Sequence, residues 1–195
     1  MNIFLQNIHI NQIKKQDTLH ICNKIIKNNP KYIQAYILLA KIEQENGNFK
    51  TAIEHIDTAL SLDKNTAEIY NILADIYYTE KNWEKAIENY KISLSKNPTG
   101  EEIYAKVAEC YYNMENYEEA LIYYKEAANI DVVNAQYRYY LAKCNSHLVN
   151  KEETVNNFAI AKRLVPQNTE YIKEYALYLY SEGNKKSKKF NKIIN

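Results

Sequence analysis

The chain has 195 residues, of which 46% are hydrophobic and 25% charged, with only three glycines and three prolines. So few turn-forming residues argue against a β-sandwich or a disordered linker protein and favour helices. Lys and Arg number 25 against 24 Asp and Glu, so the formal net charge of +1 gives no general attraction to nucleic acid or anionic membrane. We expect one domain and no nucleic-acid partner.

The cysteines and the N-terminal residues help to predict the cellular compartment of the protein. Cys22, Cys110 and Cys144 are an odd number, and no pair of them has the spacing of metal ligands. This pattern predicts a reducing compartment without a disulfide framework, so a cytoplasmic protein is expected. The first ten residues have no basic stretch typical of a signal peptide. No window approaches the roughly 20 consecutive apolar residues that a membrane-spanning helix requires, so no stable membrane insertion is expected.

The first 32 residues contain two helical patterns. Residues 2–12 are predicted to form a weak helix, and Asp17 to Asn29 a second helix with Cys22 and Ile25 on its apolar face. Pro30 then ends that helix. We interpret residues 1–32 as a degenerate copy of the repeat that follows.

From residue 33 onward the sequence repeats every 34 residues. One column of the repeat is alanine throughout: Ala40, Ala74, Ala108, Ala142 and Ala176. Two further columns hold only small residues: Ala52, Ala86, Ala120 and Thr154, then Ala59, Ser93, Ala127 and Ala161. Large apolar residues keep the same step, as in Ile56, Tyr90, Tyr124 and Phe158. A fixed period of this length indicates a stack of supersecondary units.

The block Ala67–Gly100 shows what each unit is. Residues spaced three and four apart place apolar side chains on one face of a first helix and then of a second. Glu80-Lys81-Asn82 is a short polar turn between them, and Pro98 ends the second helix. The small residues are expected where the two helix axes come within about 8 Å of each other.

The pattern Tyr70-x-x-Leu73-Ala74-x-x-Tyr77, followed by Ala86-x-x-x-Tyr90 and Pro98, resembles the tetratricopeptide repeat. The resemblance implies an all-α fold, a right-handed α-solenoid of antiparallel helix pairs. On this interpretation residues 33–168 form four full repeats, and residues 169–184 form a C-terminal capping helix. The block from Ala135 departs from the pattern at Arg138, Asn145 and Thr154.

The lysine-rich segment 185–195 allows two interpretations. It contains five lysines, with Phe190, Ile193 and Ile194 at helical spacing. It is either the final B helix of the stack or a basic amphipathic tail, Lys185–Asn195, that makes weak contact with anionic lipid or nucleic acid. The repeat register favours the B helix.

No catalytic constellation is recognisable in the sequence. The four histidines have no paired spacing typical of metal ligands, and the three glycines are isolated turn residues and form no phosphate-binding loop. Cys110 and Cys144 occupy one column of successive helices, whose spacing of about 8 to 10 Å is too large for a disulfide. We expect a protein that is not an enzyme and needs no cofactor or metal.

The resemblance implies that partners lie along the first, or A, helices of the repeats. The register places these candidate partner-binding residues there: Asn71, Asp75, Tyr78, Lys106, Glu109, Tyr112, Tyr139, Tyr140 and Lys143. The same positions include Ile72, Glu102, Ala105, Ser146 and His147. This surface is rich in tyrosine and mildly acidic, so a ligand with apolar and basic side chains is expected.

We therefore expect a non-catalytic scaffold or adaptor that holds a peptide or helix of a partner protein in the groove of the stack. The Lys and Asn pattern by which one subtype of the family grips the carboxylate of chaperone tails is absent at the matching positions, among them Ile37, Ile72 and Glu102. Two alternatives stay open: a dedicated chaperone for an exported or membrane-inserted client, and a regulatory subunit of an enzyme complex. The sequence leaves the oligomeric state open.

Overall fold

The computed structural model describes residues 3–183, with side chains from residue 15 onward. This part of the chain forms ten α-helices and no β-strand. In order they are α1 Ile3–Asn28, α2 Ile33–Glu45, α3 Phe49–Leu62, α4 Ala67–Thr79, α5 Trp83–Lys96, α6 Glu101–Asn113, α7 Tyr117–Ile130, α8 Ala135–His147, α9 Lys151–Leu164 and α10 Thr169–Ser181. None of them is both long and apolar enough to cross a membrane.

The chain divides into two compact units. The first unit is Met1–Pro98 and the second unit is Thr99–Asn195. Stacked helix pairs bury their apolar groups against their immediate neighbours. The lysine-rich segment 185–195, whose two interpretations are given above, lies outside the described residues.

The helix boundaries follow the 34-residue period. The A helices α2, α4, α6, α8 and α10 have 13 residues each and begin at positions 33, 67, 101, 135 and 169. The B helices α3, α5, α7 and α9 have 14 residues each and follow after three-residue turns. The antiparallel helix pairs predicted from the sequence are therefore present, because the apolar pattern of each helix is local and repeats without insertions.

The N-terminal segment differs from the expectation. One continuous helix, α1, replaces the two helices predicted at residues 2–12 and 17–29. The residues between these segments are Ile13, Lys14, Lys15 and Gln16, with no glycine or proline, so nothing local ends the helix there. Cys22 is buried as predicted and packs against Ala35 and Leu39 of α2.

The three columns of small residues are buried. Every member of these columns has at most 2% of its surface exposed, and nearly all have none. The two hydroxyl-bearing members both make hydrogen bonds: Ser93 donates across the helix pair to the carbonyl oxygen of Ala67 in α4 at 3.1 Å, and Thr154 donates to that of Asn150 one turn earlier at 2.8 Å. Small side chains therefore allow the backbones of paired helices to come close.

Large apolar side chains fill the space beside these crossings. In the first unit a core of isoleucines, including Ile37, Ile56 and Ile76, packs between α2, α3 and α4. In the second unit tyrosines replace most of them, and Tyr124 and Tyr137 pack with Leu141 between α6, α7 and α8. Cys110 and Cys144 are free and buried, so they act as small hydrophobic residues.

Every A helix ends with one residue in the left-handed conformation. These residues are also 34 apart: Gly47, Lys81, Glu115, Val149 and Gly183, with φ between 59° and 79°. At the end of α4, the N–H of Lys81 donates to the carbonyl of Tyr78 at 3.0 Å and the N–H of Asn82 donates to that of Tyr77 at 2.9 Å. This Schellman motif satisfies carbonyls that the helix end leaves unpaired. Asparagine follows at the N-cap positions 48, 82, 116 and 150, and the side chains of Asn82 and Asn116 accept from backbone N–H groups in the first turn of the next helix.

Replacing Val149 by glycine is expected to stabilise the protein. A β-branched residue in the left-handed region is strained, and glycine removes the clash at a smaller cost in backbone entropy, so Val149→Gly should raise the free energy of unfolding by about 0.5–1 kcal/mol. Urea unfolding followed by circular dichroism measures the change. Val133 is the matched control, since it is as exposed as Val149 (69% against 70%) and is not left-handed. Val133→Gly should not stabilise; equal gains from both variants would contradict the argument.

Enlarging a small residue at a helix crossing is expected to destabilise the second unit. Ala108 is fully buried, so Ala108→Leu should lower the free energy of unfolding by roughly 1 to 3 kcal/mol through overpacking. Ala159 is exposed on α9 and serves as control, because leucine and alanine have similar helix propensities there. The same urea titration should show little change for Ala159→Leu. No loss of stability in Ala108→Leu would mean that the crossing has room for a larger side chain.

Candidate functional site

In the first unit, the three candidate residues of α4 are largely engaged within their own repeat. Asp75 accepts a hydrogen bond of 2.5 Å from the hydroxyl of Tyr90 in α5. The ring of Tyr78 packs edge to face on Trp83, with centroids 5.3 Å apart. The side-chain oxygen of Asn71 is buried without a hydrogen-bond partner among the described residues. These contacts hold the side chains of Asp75 and Tyr78 in place on α4.

In the second unit, ring contacts bring the A helices α6, α8 and α10 side by side. Tyr112 of α6 meets Tyr140 of α8 edge to face, with ring centroids 5.7 Å apart. Tyr139 of α8 stacks on Tyr171 of α10, with centroids 4.7 Å apart. Two cavities open on the surface that these helices share, which we call the A-helix face.

The first of these, the acidic cavity, has a volume of about 390 Å³. Its lining comes from α6, from α7, from the turn before α8 and from α8 itself. The lining residues are Glu101, Glu102, Ala105, Lys106, Glu109, Tyr124, Asp131, Asn134, Gln136, Tyr137 and Tyr140. Four carboxylates face one lysine, so the cavity has a negative potential that favours cations.

The second, the aromatic cavity, has a volume of about 420 Å³ and lies among α6, α8, α9 and α10. Its lining residues are Tyr112, Lys143, Ser146, His147, Phe158, Glu174, Leu177, Tyr178 and Ser181. Three aromatic rings besides the imidazole ring of His147, together with one leucine, make part of its wall apolar. Lys143 and Glu174 supply one charge of each sign. Such a cavity is suited to an apolar side chain with a polar group beside it.

Five candidate residues of the second unit line these cavities. Lys106, Glu109 and Tyr140 line the acidic cavity, and Tyr112 and Lys143 line the aromatic cavity. The sequence register therefore brings these five side chains together on one face. Their role in binding a partner stays a prediction.

Tyr139 does not lie on the open surface where the register placed it. It is only 4% exposed and packs on Phe158 of α9 and Tyr171 of α10, and its hydroxyl donates to Glu170 at 3.3 Å. This position of the A helix points toward the next A helix, so a large ring there is covered by its neighbour. Ala105 and Ile72, assigned to the same surface, are buried as well.

Several lining residues were missed by the register argument. Glu174 and Leu177 of α10 follow Tyr140 and Lys143 by one repeat, so the 34-residue step could have found them. The sequence pattern predicted α10 only as a capping helix, so these two residues were not assigned to the binding surface. Asp131 and Tyr137 had no such signal, since neither lies at a position that the family pattern assigns to binding.

The rings beside the aromatic cavity form a connected network. His147 stacks on Tyr117 with centroids 3.9 Å apart and planes 3° from parallel. The ring of Tyr112 contacts both of these rings, with its centroid 5.3 Å from that of Tyr117 and 6.1 Å from that of His147. The ammonium group of Lys143 lies over the rings of Tyr112 and Tyr139, at 5.8 and 5.5 Å from their centroids. These contacts hold the side chains in a defined arrangement before any ligand arrives.

Burial raises the pKa of the tyrosine hydroxyls around the cavities. The pKa of Tyr112 is raised to about 12, first by burial and then by neighbouring groups that include Cys144 and Glu174. Burial also raises the pKa of Tyr140, with Glu109 adding to the effect. These phenols therefore stay neutral near pH 7 and keep a proton that they can donate to a ligand.

An alkaline titration is expected to separate two classes of tyrosine. Exposed tyrosines should ionise near pH 10, and Tyr112 only at about pH 12. Since its folded pKa lies above the unfolded value, the stability linked to Tyr112 is complete below pH 10 and is lost as the pH rises toward 12. Phenolate absorbance and circular dichroism, recorded together, measure both effects. A Tyr112→Phe variant should lose less stability over that interval; a loss equal to that of the unmodified chain would contradict the assignment.

The sequence matches models of a known protein family. Two family models match, both described as tetratricopeptide repeat, one over residues 37–101 and the other over residues 77–144. Together they cover more than half of the chain. No match is found among curated proteins.

Solved structures show the same fold at low sequence identity. The structure of YrrB, described as a tetratricopeptide protein with an unusual peptide-binding site, has a TM-score of 0.78 at 18% identity and covers 88% of this chain and 89% of its own. MamA has a TM-score of 0.73 at 19% identity, covering 88% and 99%. PilF of Pseudomonas aeruginosa has a TM-score of 0.67 at 21% identity, covering 83% and 74%. The helix pairs, the 34-residue period and these matches agree, and the chain belongs to the tetratricopeptide repeat family as an all-α solenoid.

Proposed function

We propose that the second unit binds a peptide or helix of a partner protein along its A-helix face, and that this segment carries basic and apolar side chains. The observation that carries the proposal is the pairing of the acidic cavity with the aromatic cavity on one surface. A protein-interaction role is general for tetratricopeptide modules. The cavities suggest which chemistry this one selects.

The charge of the acidic cavity favours a basic segment. Glu102 and Glu109 lie two turns apart on α6, so their carboxylates follow the helix axis along the open surface. A row of like charges attracts an oppositely charged segment over several ångströms and raises its rate of association. Lys106 lies between them and reduces the negative charge without reversing it.

The aromatic cavity favours an apolar side chain. Leu177 is 48% exposed at its edge, and the rings of Tyr112, Phe158 and Tyr178 form its wall. Aromatic rings held by neighbouring rings lose little side-chain entropy on binding, and such rings are enriched in the buried centres of protein interfaces. An apolar anchor of the partner seated here would exclude water from both surfaces.

The proposal extends to the setting of this interaction. We propose that the chain acts in the cytoplasm as a scaffold or adaptor and performs no catalysis of its own. The peptide-binding site named for YrrB is consistent with a segment as the ligand of this fold. The different chemistry of the two cavities supports one segment that contacts both.

A peptide selection tests the proposal. Random peptides displayed on phage should be enriched on the unmodified chain, with basic and apolar residues at a fixed spacing. The double variant Glu102→Lys, Glu109→Lys should bind synthetic copies of the selected peptides at least about tenfold more weakly, which corresponds to about 1.4 kcal/mol of binding free energy. Leu177→Asp should weaken peptide binding comparably, because it places a charge at the edge of the aromatic cavity. Fluorescence anisotropy measures the affinities.

Matched variants on the B helix α7 serve as controls. Glu118→Lys combined with Glu126→Lys changes the net charge equally on an exposed surface, and Ile122→Asp replaces an apolar residue that is 52% exposed. Both should leave peptide affinity unchanged, with circular dichroism confirming that every variant is folded. Failure to enrich any peptide would overturn the proposal, and so would equal affinity of the peptides for the A-helix variants and the controls.

A further inference from the structure

We infer that the acidic cavity is a receptor for the guanidinium group of an arginine side chain. The inference rests on the proposed function, since the arginine would belong to the bound segment. It goes further by assigning one side chain of the partner to one cavity.

The hydroxyl group of one tyrosine in the wall of the cavity lacks a partner. Tyr137 is only 8% exposed and lines the acidic cavity, and its hydroxyl makes no hydrogen bond to any residue whose side chain is described. Its pKa is raised first by burial and then by Glu101, Asp131, Glu102 and Glu109, all of which line the same cavity. The hydroxyl therefore lies among these carboxylates. Because the side chain is held in the wall of the cavity, its hydroxyl oxygen can accept a hydrogen bond from a ligand.

Two of the carboxylates are also available to a ligand. Glu101 and Glu102 form neither an ion pair nor a hydrogen bond through their carboxylates with other residues of the described part of the chain. Asp131 is different, because it accepts from the backbone N–H of Val133 at 3.2 Å and from the side-chain amide of Asn134 at 3.3 Å. These bonds fix the turn that closes one side of the cavity. The cavity thus has a fixed rim on one side and carboxylates that are available to a ligand.

An aromatic wall completes the cavity. Tyr140 stacks on Tyr124 with centroids 5.1 Å apart and planes 4° from parallel. Tyr124 is almost fully buried, so it supports Tyr140 from behind. A cation that lies over a tyrosine ring is attracted by the electrons of the ring face.

Arginine fits this combination better than lysine. Its guanidinium is planar, so it stacks on a ring while donating in its own plane to carboxylates, and it carries five N–H donors for several acceptors. It is also more weakly hydrated than an ammonium group, which lowers the cost of entering a partly buried cavity. The cavity volume of about 390 Å³ lies within the range of roughly 300–1,000 Å³ typical of ligand pockets.

An NMR titration with single amino-acid derivatives tests the inference. The probes are the N-acetyl methylamides of arginine, of citrulline, which has the same shape without the charge, and of lysine. The arginine derivative should shift the resonances of Tyr137, Tyr140 and the start of α6 with a dissociation constant on the order of millimolar. The citrulline derivative should bind at least about tenfold more weakly, and the lysine derivative should lie between them.

Variants of the cavity locate the binding. The double variant Glu101→Gln, Glu102→Gln should bind the arginine derivative at least about tenfold more weakly, and Tyr137→Phe should bind it about threefold more weakly. The control is Glu118→Gln combined with Glu119→Gln, the equivalent pair in the first turn of α7, which should have no effect. Equal binding of arginine and citrulline derivatives, absence of shifts around Tyr137, or equal effects of the two glutamine pairs would overturn the inference.

The two proposals fail in distinguishable ways. If selected peptides require Glu102 and Glu109 while the arginine derivative leaves the resonances of Tyr137 unchanged, segment binding stands and the arginine receptor is wrong. If the arginine derivative binds the cavity while no peptide is enriched, the receptor stands and the bound segment is wrong. In the peptides themselves, replacement of one arginine by citrulline should lose affinity on the unmodified chain but not on the Glu101→Gln, Glu102→Gln variant.

Discussion

The close crossing of paired helices at small residues is the constraint on which the structure depends. Alanine, serine or threonine fills all three columns of these crossings, and hardly any surface of these side chains is exposed. A larger side chain at a crossing would push the helix axes apart, and the rings beside it would lose their contacts. The tyrosines that line both cavities are held at their positions by these crossings, so the candidate site is a consequence of how closely the helices pack.

The turns impose a second constraint that repeats with the same period. Each A helix ends in a left-handed residue followed by an asparagine, and at the ends of α2, α4, α6 and α8 Schellman hydrogen bonds orient the B helix that follows. Glycine occupies this position only at Gly47 and Gly183, while Val149 adopts the same backbone at a cost. The geometry is kept where the residue type disfavours it, because packing of the two helices over their whole length outweighs the local strain.

The candidate site arises where the repeat stops being regular in residue type. One column of the A helices reads Lys106, Tyr140 and Glu174, so equivalent places on successive helices have different chemistry. The repeated columns build the scaffold, and the variable columns give the acidic and aromatic cavities their separate characters. Fold and binding chemistry are therefore carried by different positions of the same 34-residue unit.

The sequence by itself determined the period, the helix pairs, the small columns and several residues of the cavity walls, because these depend on the spacing of residues along the chain. The tertiary structure decided the rest. It buried Tyr139 under α10, joined the N-terminal residues into the single helix α1, and enclosed the unpartnered hydroxyl of Tyr137 among carboxylates from α6 and from the turn before α8. The burial of Tyr139 and the surroundings of Tyr137 depend on which side chains meet across helices some 30 residues apart, and the spacing within one helix contains no information about them.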